Sequence, residues 1–208
     1  MYYYMKSVNY KVIFLGSSGV GKSSIIKRFI YNEFDEHSTS TIGAAYFTKT
    51  IEKDDINVNY NIWDTAGQEE YDGLIELYYR NTDVSIIVFD ITSKKSFNKA
   101  KNMVDKVIDF NQEKLILILV GNKTDIDNHR EVDIDDALRY AKNIKALYIE
   151  TSAKNSHNIN KLFEEITNKL PIENIKNYYF TQKIKRIPRQ IKNKLKLNET
   201  EEKKRCCF

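Results

Sequence analysis

The chain has 208 residues, of which 41% are hydrophobic and 30% charged, a balance that suits one domain with a sizeable core and excludes a disordered polar chain. No apolar run approaches the ~20 residues that cross a bilayer, and residues 1–6 lack the apolar core and small-residue cleavage site of a secretion signal, so a cytosolic chain is expected. The formal charge of +4 hides an asymmetry: residues 1–170 hold 22 Lys+Arg against 25 Asp+Glu, whereas residues 171–208 hold 11 against 4.

In chain order, residues 10–15 form a short β-rich run that ends at a glycine-rich stretch. Residues 23–30 then read as a helix with Ile25, Ile26, Phe29 and Ile30 on its inner face. Residues 33–45 are polar and irregular. Residues 46–51 and 58–63 read as strands joined by the turn Lys53-Asp54-Asp55, which suggests a hairpin. Residues 84–89 and 115–120 are nearly continuous apolar runs, as expected of central parallel strands covered on both faces. Between them, Phe97, Ala100, Val104, Val107 and Ile108 recur at helical spacing within residues 96–110. A helix over 134–141, a short strand over 146–149 and a last helix over 159–170 follow, and Pro171 closes the body because proline does not continue a helix. This strand–helix alternation predicts a three-layer α/β domain.

Three local patterns carry chemistry. Gly16-Ser17-Ser18-Gly19-Val20-Gly21-Lys22-Ser23 matches the phosphate-binding loop pattern in full, between a predicted strand and a predicted helix. Its glycines let backbone N–H groups close on phosphate, and the following helix adds the positive end of its dipole. Lys22 supplies charge and the Ser23 hydroxyl can ligate Mg²⁺. Asp64, in Trp63-Asp64-Thr65-Ala66-Gly67-Gln68, stands at a strand end where a carboxylate completes a Mg²⁺ shell. There Gly67 can bring its N–H to a γ-phosphate and Gln68 can orient a water. Asp125, in Asn122-Lys123-Thr124-Asp125, can accept two hydrogen bonds from the N1–H and 2-amino group of guanine, a donor pair that adenine lacks.

With these motifs in place, the sequence resembles a Ras-superfamily small GTPase, and within that superfamily a Rab. The resemblance covers residues 10–170 and includes Thr41 in Ser40-Thr41-Ile42-Gly43 and the motif Thr151-Ser152-Ala153-Lys154. It implies an α/β phosphate-loop GTPase domain with a six-stranded, mostly parallel sheet and helices on both faces. It implies that GTP or GDP is bound through Ser18, Gly19, Val20, Gly21, Lys22, Ser23, Ser24, Phe34, Thr41, Gly67, Asn122, Lys123, Asp125, Ser152, Ala153 and Lys154. Within that set, Phe34 packs on the guanine ring, Lys123 lies along the base and the Ala153 N–H reads guanine O6. Mg²⁺ is assigned to Ser23, Thr41 and Asp64, and catalysis to Gln68, Lys22 and Thr41. Residues 40–50 are similar to the early-endosomal branch of Rabs, and Tyr46, Trp63 and Tyr78 match the aromatic triad that Rabs present to effectors, although packing against one another is an alternative role. Three residues depart from the usual pattern: Glu70 for Arg, Asn81 for Gly and Tyr46 for Phe.

The only two cysteines, Cys206 and Cys207, precede the final Phe208. They resemble the double-cysteine ends on which Rabs carry two geranylgeranyl groups, and stable anchoring generally takes two signals. The basic segment 183–196 adds attraction to anionic lipid or serves only to keep the tail solvated. The expected organisation is an N-terminal extension over 1–9, the GTPase domain over 10–170 and a flexible, basic, prenylated tail over 171–208. The expected partners are an exchange factor, an activating protein, effectors and a GDP-dissociation carrier, with no nucleic acid and a monomeric chain. The expected location is the cytoplasmic face of endomembranes, endosomal in particular, with a carrier-bound cytosolic pool. The rival readings are a GTP-locked interaction protein with negligible hydrolysis, against which Gln68 argues, and an ATP-using transferase, against which the Asn122–Asp125 motif argues.

Overall fold

The computed structural model describes residues 6–67, 78–111 and 115–172. The architecture that follows is that of the described residues within the compact unit Met1–Asn168, with the helix that ends at Lys169. Six strands form one sheet: β1 (Lys6–Leu15), β2 (Ala44–Lys53), β3 (Ile56–Thr65), β4 (Val84–Asp90), β5 (Ile116–Asn122) and β6 (Leu147–Thr151), in the spatial order β2-β3-β1-β4-β5-β6. Only the β2–β3 pair is antiparallel; β1 pairs in parallel with both β3 and β4, and β5 with both β4 and β6. The described helices are α1 (Lys22–Tyr31), α2 (Lys94–Phe110), α3 (Ile134–Asn143) and α4 (Ile159–Lys169). None of the described helices is long and apolar enough to cross a membrane.

Strand alternation assigns the helices to the two faces of the sheet. Ile13, Leu15, Ile87, Phe89, Leu117 and Leu119 form one buried cluster with Phe97, Ala100, Val104 and Val107 of α2 and with Ala137 and Ala141 of α3. On the other face, Phe163 of α4 meets Phe14 of β1, Tyr60 of β3 and Phe29 of α1, the last in a parallel stack with ring centroids 3.4 Å apart. The buried Tyr60 hydroxyl finds a partner in Thr167 at 2.6 Å. The three-layer α/β expectation therefore holds.

Several boundaries differ from the sequence reading. β1 begins at Lys6, so residues 6–9, set apart above within an N-terminal extension, pair with residues 56–59 of β3. Ile108, which shares the helical spacing of its apolar neighbours, is 42% exposed at the far end of α2. The β2–β3 turn has both Asp54 and Asp55 at positive φ, 54° and 62°, the backbone that a tight two-residue hairpin turn requires. Asn81 also has φ 54°. That conformation is why glycine is usual at the position and why Asn, the side chain best suited to the left-handed region, can stand there.

β1 lies at the point where successive strands switch from one side of the sheet to the other, the place at which open parallel sheets bind ligands beyond their C-terminal strand ends. The loops after β1, β3, β4, β5 and β6 all leave from that edge.

Candidate nucleotide site

The loop after β1 enters α1 at Gly21, whose φ of 98° suits glycine. A Cβ there would lie 2.3 Å from the Asn122 side-chain nitrogen, so the loop and the end of β5 approach as closely as backbone allows. Lys22 is 6% exposed. Its Nζ donates to the carbonyls of Gly16 at 2.8 Å and Ser17 at 3.1 Å. Burial lowers its pKa to about 8, against the pull of the nearby Asp64 carboxylate. A lysine this poorly solvated gains from an anion placed beside it.

Asp64, the last residue but one of β3, is 1% exposed. Ser23 Oγ donates to its Oδ2 at 2.5 Å and Thr41 Oγ1 at 3.3 Å, and the two hydroxyls lie 2.9 Å apart. Asp64 Oδ1 is buried with no hydrogen-bond partner among the described residues, and burial raises the carboxyl's pKa. One carboxylate and two hydroxyls converging in this way form a hard-oxygen donor set, and the orphaned oxygen would be satisfied by a cation. A set of one carboxylate and two hydroxyls suits Mg²⁺, which takes few protein carboxylates and fills its shell with water and phosphate oxygens.

Asn122, 2% exposed, ties three loops together. Its Nδ2 donates to Val20 O at 2.9 Å, and its Oδ1 accepts from Thr151 Oγ1 at 3.1 Å and from the Ala153 N–H at 3.3 Å. Asp125 Oδ1 accepts from Ser152 Oγ at 2.6 Å. Lys123, at φ 74°, pairs through Nζ with Asp90 Oδ2 at 2.7 Å, the carboxylate that ends β4. Behind these loops, Arg130 forks onto both oxygens of Glu150, at 2.8 and 2.9 Å. Glu150 also accepts from Tyr148, whose hydroxyl pKa is raised mainly by burial.

These groups enclose one cavity of about 530 Å³. Ser18, Gly19, Gly21, Lys22, Ser23, Ser24, Phe34, Thr41, Gly67, Asn122, Lys123, Asp125, Ala153 and Lys154 line it. Of the other residues expected from sequence, Val20 and Ser152 are buried behind the wall with Asp64, and each of the three is tied to a lining residue by the bonds above. Gln68 and Glu70 lie outside the described residues, as do Cys206 and Cys207. Sequence reasoning missed Asp90, Arg28 and Glu36. Asp90 carried a usable signal, an acid at the end of an apolar strand, the same signal that singled out Asp64. Tyr46, Trp63 and Tyr78 form a row with successive ring centroids 5.0 Å apart. Tyr46 is 52% exposed, while Trp63 and Tyr78 pack against the core.

A family model described as the Ras family matches residues 11–172. The chain is 43% identical over 166 residues to Ras-related protein RABF2b of Arabidopsis thaliana, an alignment covering 80% of this chain and 83% of that relative.

At the β3 end, the Ser18 N–H donates to Gly67 O at 3.0 Å. A Cβ on Gly67 would lie 2.2 Å from Ser18 N and 2.4 Å from Ser17 C. Both are backbone atoms and cannot swing aside, so Gly67→Ala is expected to force the two loops apart and cost about 1–3 kcal/mol. Urea unfolding checks this; an unchanged midpoint would show that the contact is not tight.

Proposed function

The chain belongs to the Ras family and, within it, to the Rab small GTPases, and from that premise we propose how its residues divide the work. As a member it binds GTP and GDP with Mg²⁺, hydrolyses GTP, and acts through regulators and effectors as a switch in vesicle traffic. The observation that carries the residue assignment is the convergence on one cavity of a desolvated lysine, an orphaned carboxylate oxygen with two hydroxyls, and the Asn122–Asp125 loop.

In this reading Lys22 and the N–H groups of the loop after β1 hold the phosphates. Ser23, Thr41 and Asp64 hold Mg²⁺, which when bound offsets negative charge on the phosphate oxygens. Asp125 accepts from guanine N1–H and the 2-amino group, and the Ala153 N–H donates to O6 once turned from Asn122 Oδ1. Phe34 and the Lys123 stem cover the base faces, with Asp90 holding the Lys123 ammonium away from the ring. Ser152 orients the Asp125 carboxylate. Gln68 places the attacking water, an interaction that matters in the transition state and little in the ground state. Lys22 stabilises the charge that builds on the leaving phosphate oxygens. Thr41 connects the segment 34–41 to the γ-phosphate, so that its position reports which nucleotide is bound.

We also infer that Cys206 and Cys207 carry two geranylgeranyl groups, with segment 183–196 attracting anionic lipid, and that the membrane served is endosomal. The double-cysteine end and the similarity to RABF2b support this reading. A carrier that covers both lipids would extract the GDP form, and the Tyr46–Trp63–Tyr78 row would meet effectors of the GTP form.

Asp125→Asn reverses one hydrogen-bond polarity toward the base. It is expected to weaken GTP binding by roughly 100-fold or more and to admit xanthosine triphosphate, whose O2 accepts from the new amide. Competition between the two nucleotides measures this, and wild-type GTP affinity in the variant would refute the base assignment.

The anchor is tested by fractionating wild type, Cys206→Ser, Cys207→Ser and the double variant. The double variant is expected in the soluble fraction with GTP binding intact, and each single variant on membranes only weakly, because one lipid chain is a marginal anchor. A double variant that still pellets with membranes would place the anchor elsewhere.

A further inference from the structure

Arg28 lies on the last turn of α1, outside every motif that carries the family resemblance. Its guanidinium nevertheless joins the end of α1 to two separate parts of the cavity wall, the loop after β6 and Phe34. Nε donates to Ala153 O at 2.9 Å and Nη2 to Lys154 O at 3.0 Å, so that one planar fork holds two successive carbonyls of the loop after β6. Nη1 donates to Asn32 O at 2.7 Å. Asn32 stands at φ 58°, where the chain turns out of the helix, and its own N–H bonds back to Arg28 O. The guanidinium carbon is also 5.9 Å from the centroid of the Phe34 ring.

The Ala153 residue is thus pinned at both ends, its N–H by Asn122 Oδ1 and its carbonyl by Arg28. A more exposed ion pair, Lys154 Nζ to Glu36 Oε1 at 2.6 Å, links the same loop to the segment after Phe34. The fork is the part of this arrangement that only arginine supplies. A lysine ammonium is a point charge without a planar fork, so it cannot hold these carbonyls and a ring face together in one fixed geometry.

We propose that Arg28 is a positioning residue for base recognition, fixing from outside the cavity both the loop whose Ala153 N–H turns from Asn122 Oδ1 to the base edge and the Phe34 ring that covers the base. The proposal rests on the reading of Ala153 as the donor to guanine O6. Arg28 touches no nucleotide atom in this account; its effect passes through the loop it holds. Losing the fork should therefore cost most where O6 is a good acceptor.

The test uses the full chain and two probes, GDP and 6-thio-GDP. In the second probe sulfur, a poorer acceptor, replaces O6, while N1–H and the 2-amino group remain. In wild type, loss of one neutral hydrogen bond should make 6-thio-GDP dissociate ~fivefold faster than GDP. In Arg28→Lys, GDP release should accelerate ~tenfold while 6-thio-GDP release changes less, so that the ratio between the probes falls toward one. Arg28→Gln, which can still donate to one carbonyl, provides the same comparison where the lysine variant folds poorly. Equal acceleration of both probes would mean that Arg28 serves stability alone, and no acceleration would mean that the fork is idle; either result overturns the proposal. A wild type that releases both probes at one rate would instead overturn the Ala153 reading, and this inference with it, before any variant is considered.

Discussion

Two opposite charges, one buried at the start of α1 and the other near the end of β3, constrain everything else in this molecule. Lys22 and Asp64 are 6% and 1% exposed, yet each is bonded to something other than the other's charge. Lys22 is turned to backbone carbonyls and Asp64 to hydroxyls. Burying charges in this way is costly, and their mutual attraction returns only part of that cost. The balance is restored when a polyanion reaches the lysine and a hard cation reaches the carboxylate. Desolvation thus costs stability in the protein alone and contributes affinity in the complex. The same argument explains why the surrounding loops are stitched so closely: a looser wall would admit water, raise the local dielectric and weaken both attractions.

The stitching depends on strand order. Because β1 has β3 on one side and β4 on the other, the loop that begins at Gly16 lies within reach of the ends of both. Asn122 spans from that loop to β6, and Asp90 holds Lys123. The regions proposed for phosphate, metal and base therefore share partners instead of standing as separate sites. A shift at Gly67 reaches the loop after β1 through Ser18, and through Val20 O it reaches the residues proposed to read the base. That continuity is what a switch requires, since a change at the γ-phosphate must move a surface that other proteins touch. The half-exposed Tyr46 lies on β2, and its neighbour Trp63 immediately precedes Asp64 on β3.

Much of this was legible in the sequence because the strongest constraints are local. Residues 84–89 and 115–120 are nearly continuous apolar runs because helices cover both faces of the sheet, and such runs are hard to misread. The phosphate loop declares itself through glycines that only close backbone approach demands. Residues 6–9 were not legible as a strand: their exposure alternates, they pair only with β3, and they carry no buried run. Ile108 kept the helical spacing of its neighbours, but it lies near the C-terminal end of α2 on a more exposed face. Arg28 gave no signal because its partners are backbone carbonyls 125 and 126 residues away, and any sequence supplies carbonyls. Asn81 could be seen as a departure, but its reason, a left-handed backbone, is visible only in the fold.

Asp64, Ser23 and Thr41 are proposed to form a metal site coupled to nucleotide retention. The direct measurement is GDP dissociation in excess Mg²⁺ and after chelation, compared between wild type and Asp64→Asn. Chelation should speed release from wild type by ~tenfold or more, a loss of at least about 1.4 kcal/mol of coupling. It should speed release from the variant far less, because the carboxylate that binds the cation is already gone. Equal acceleration in the two proteins would contradict the account, since nucleotide retention would then depend on Mg²⁺ without depending on the carboxylate at the end of β3.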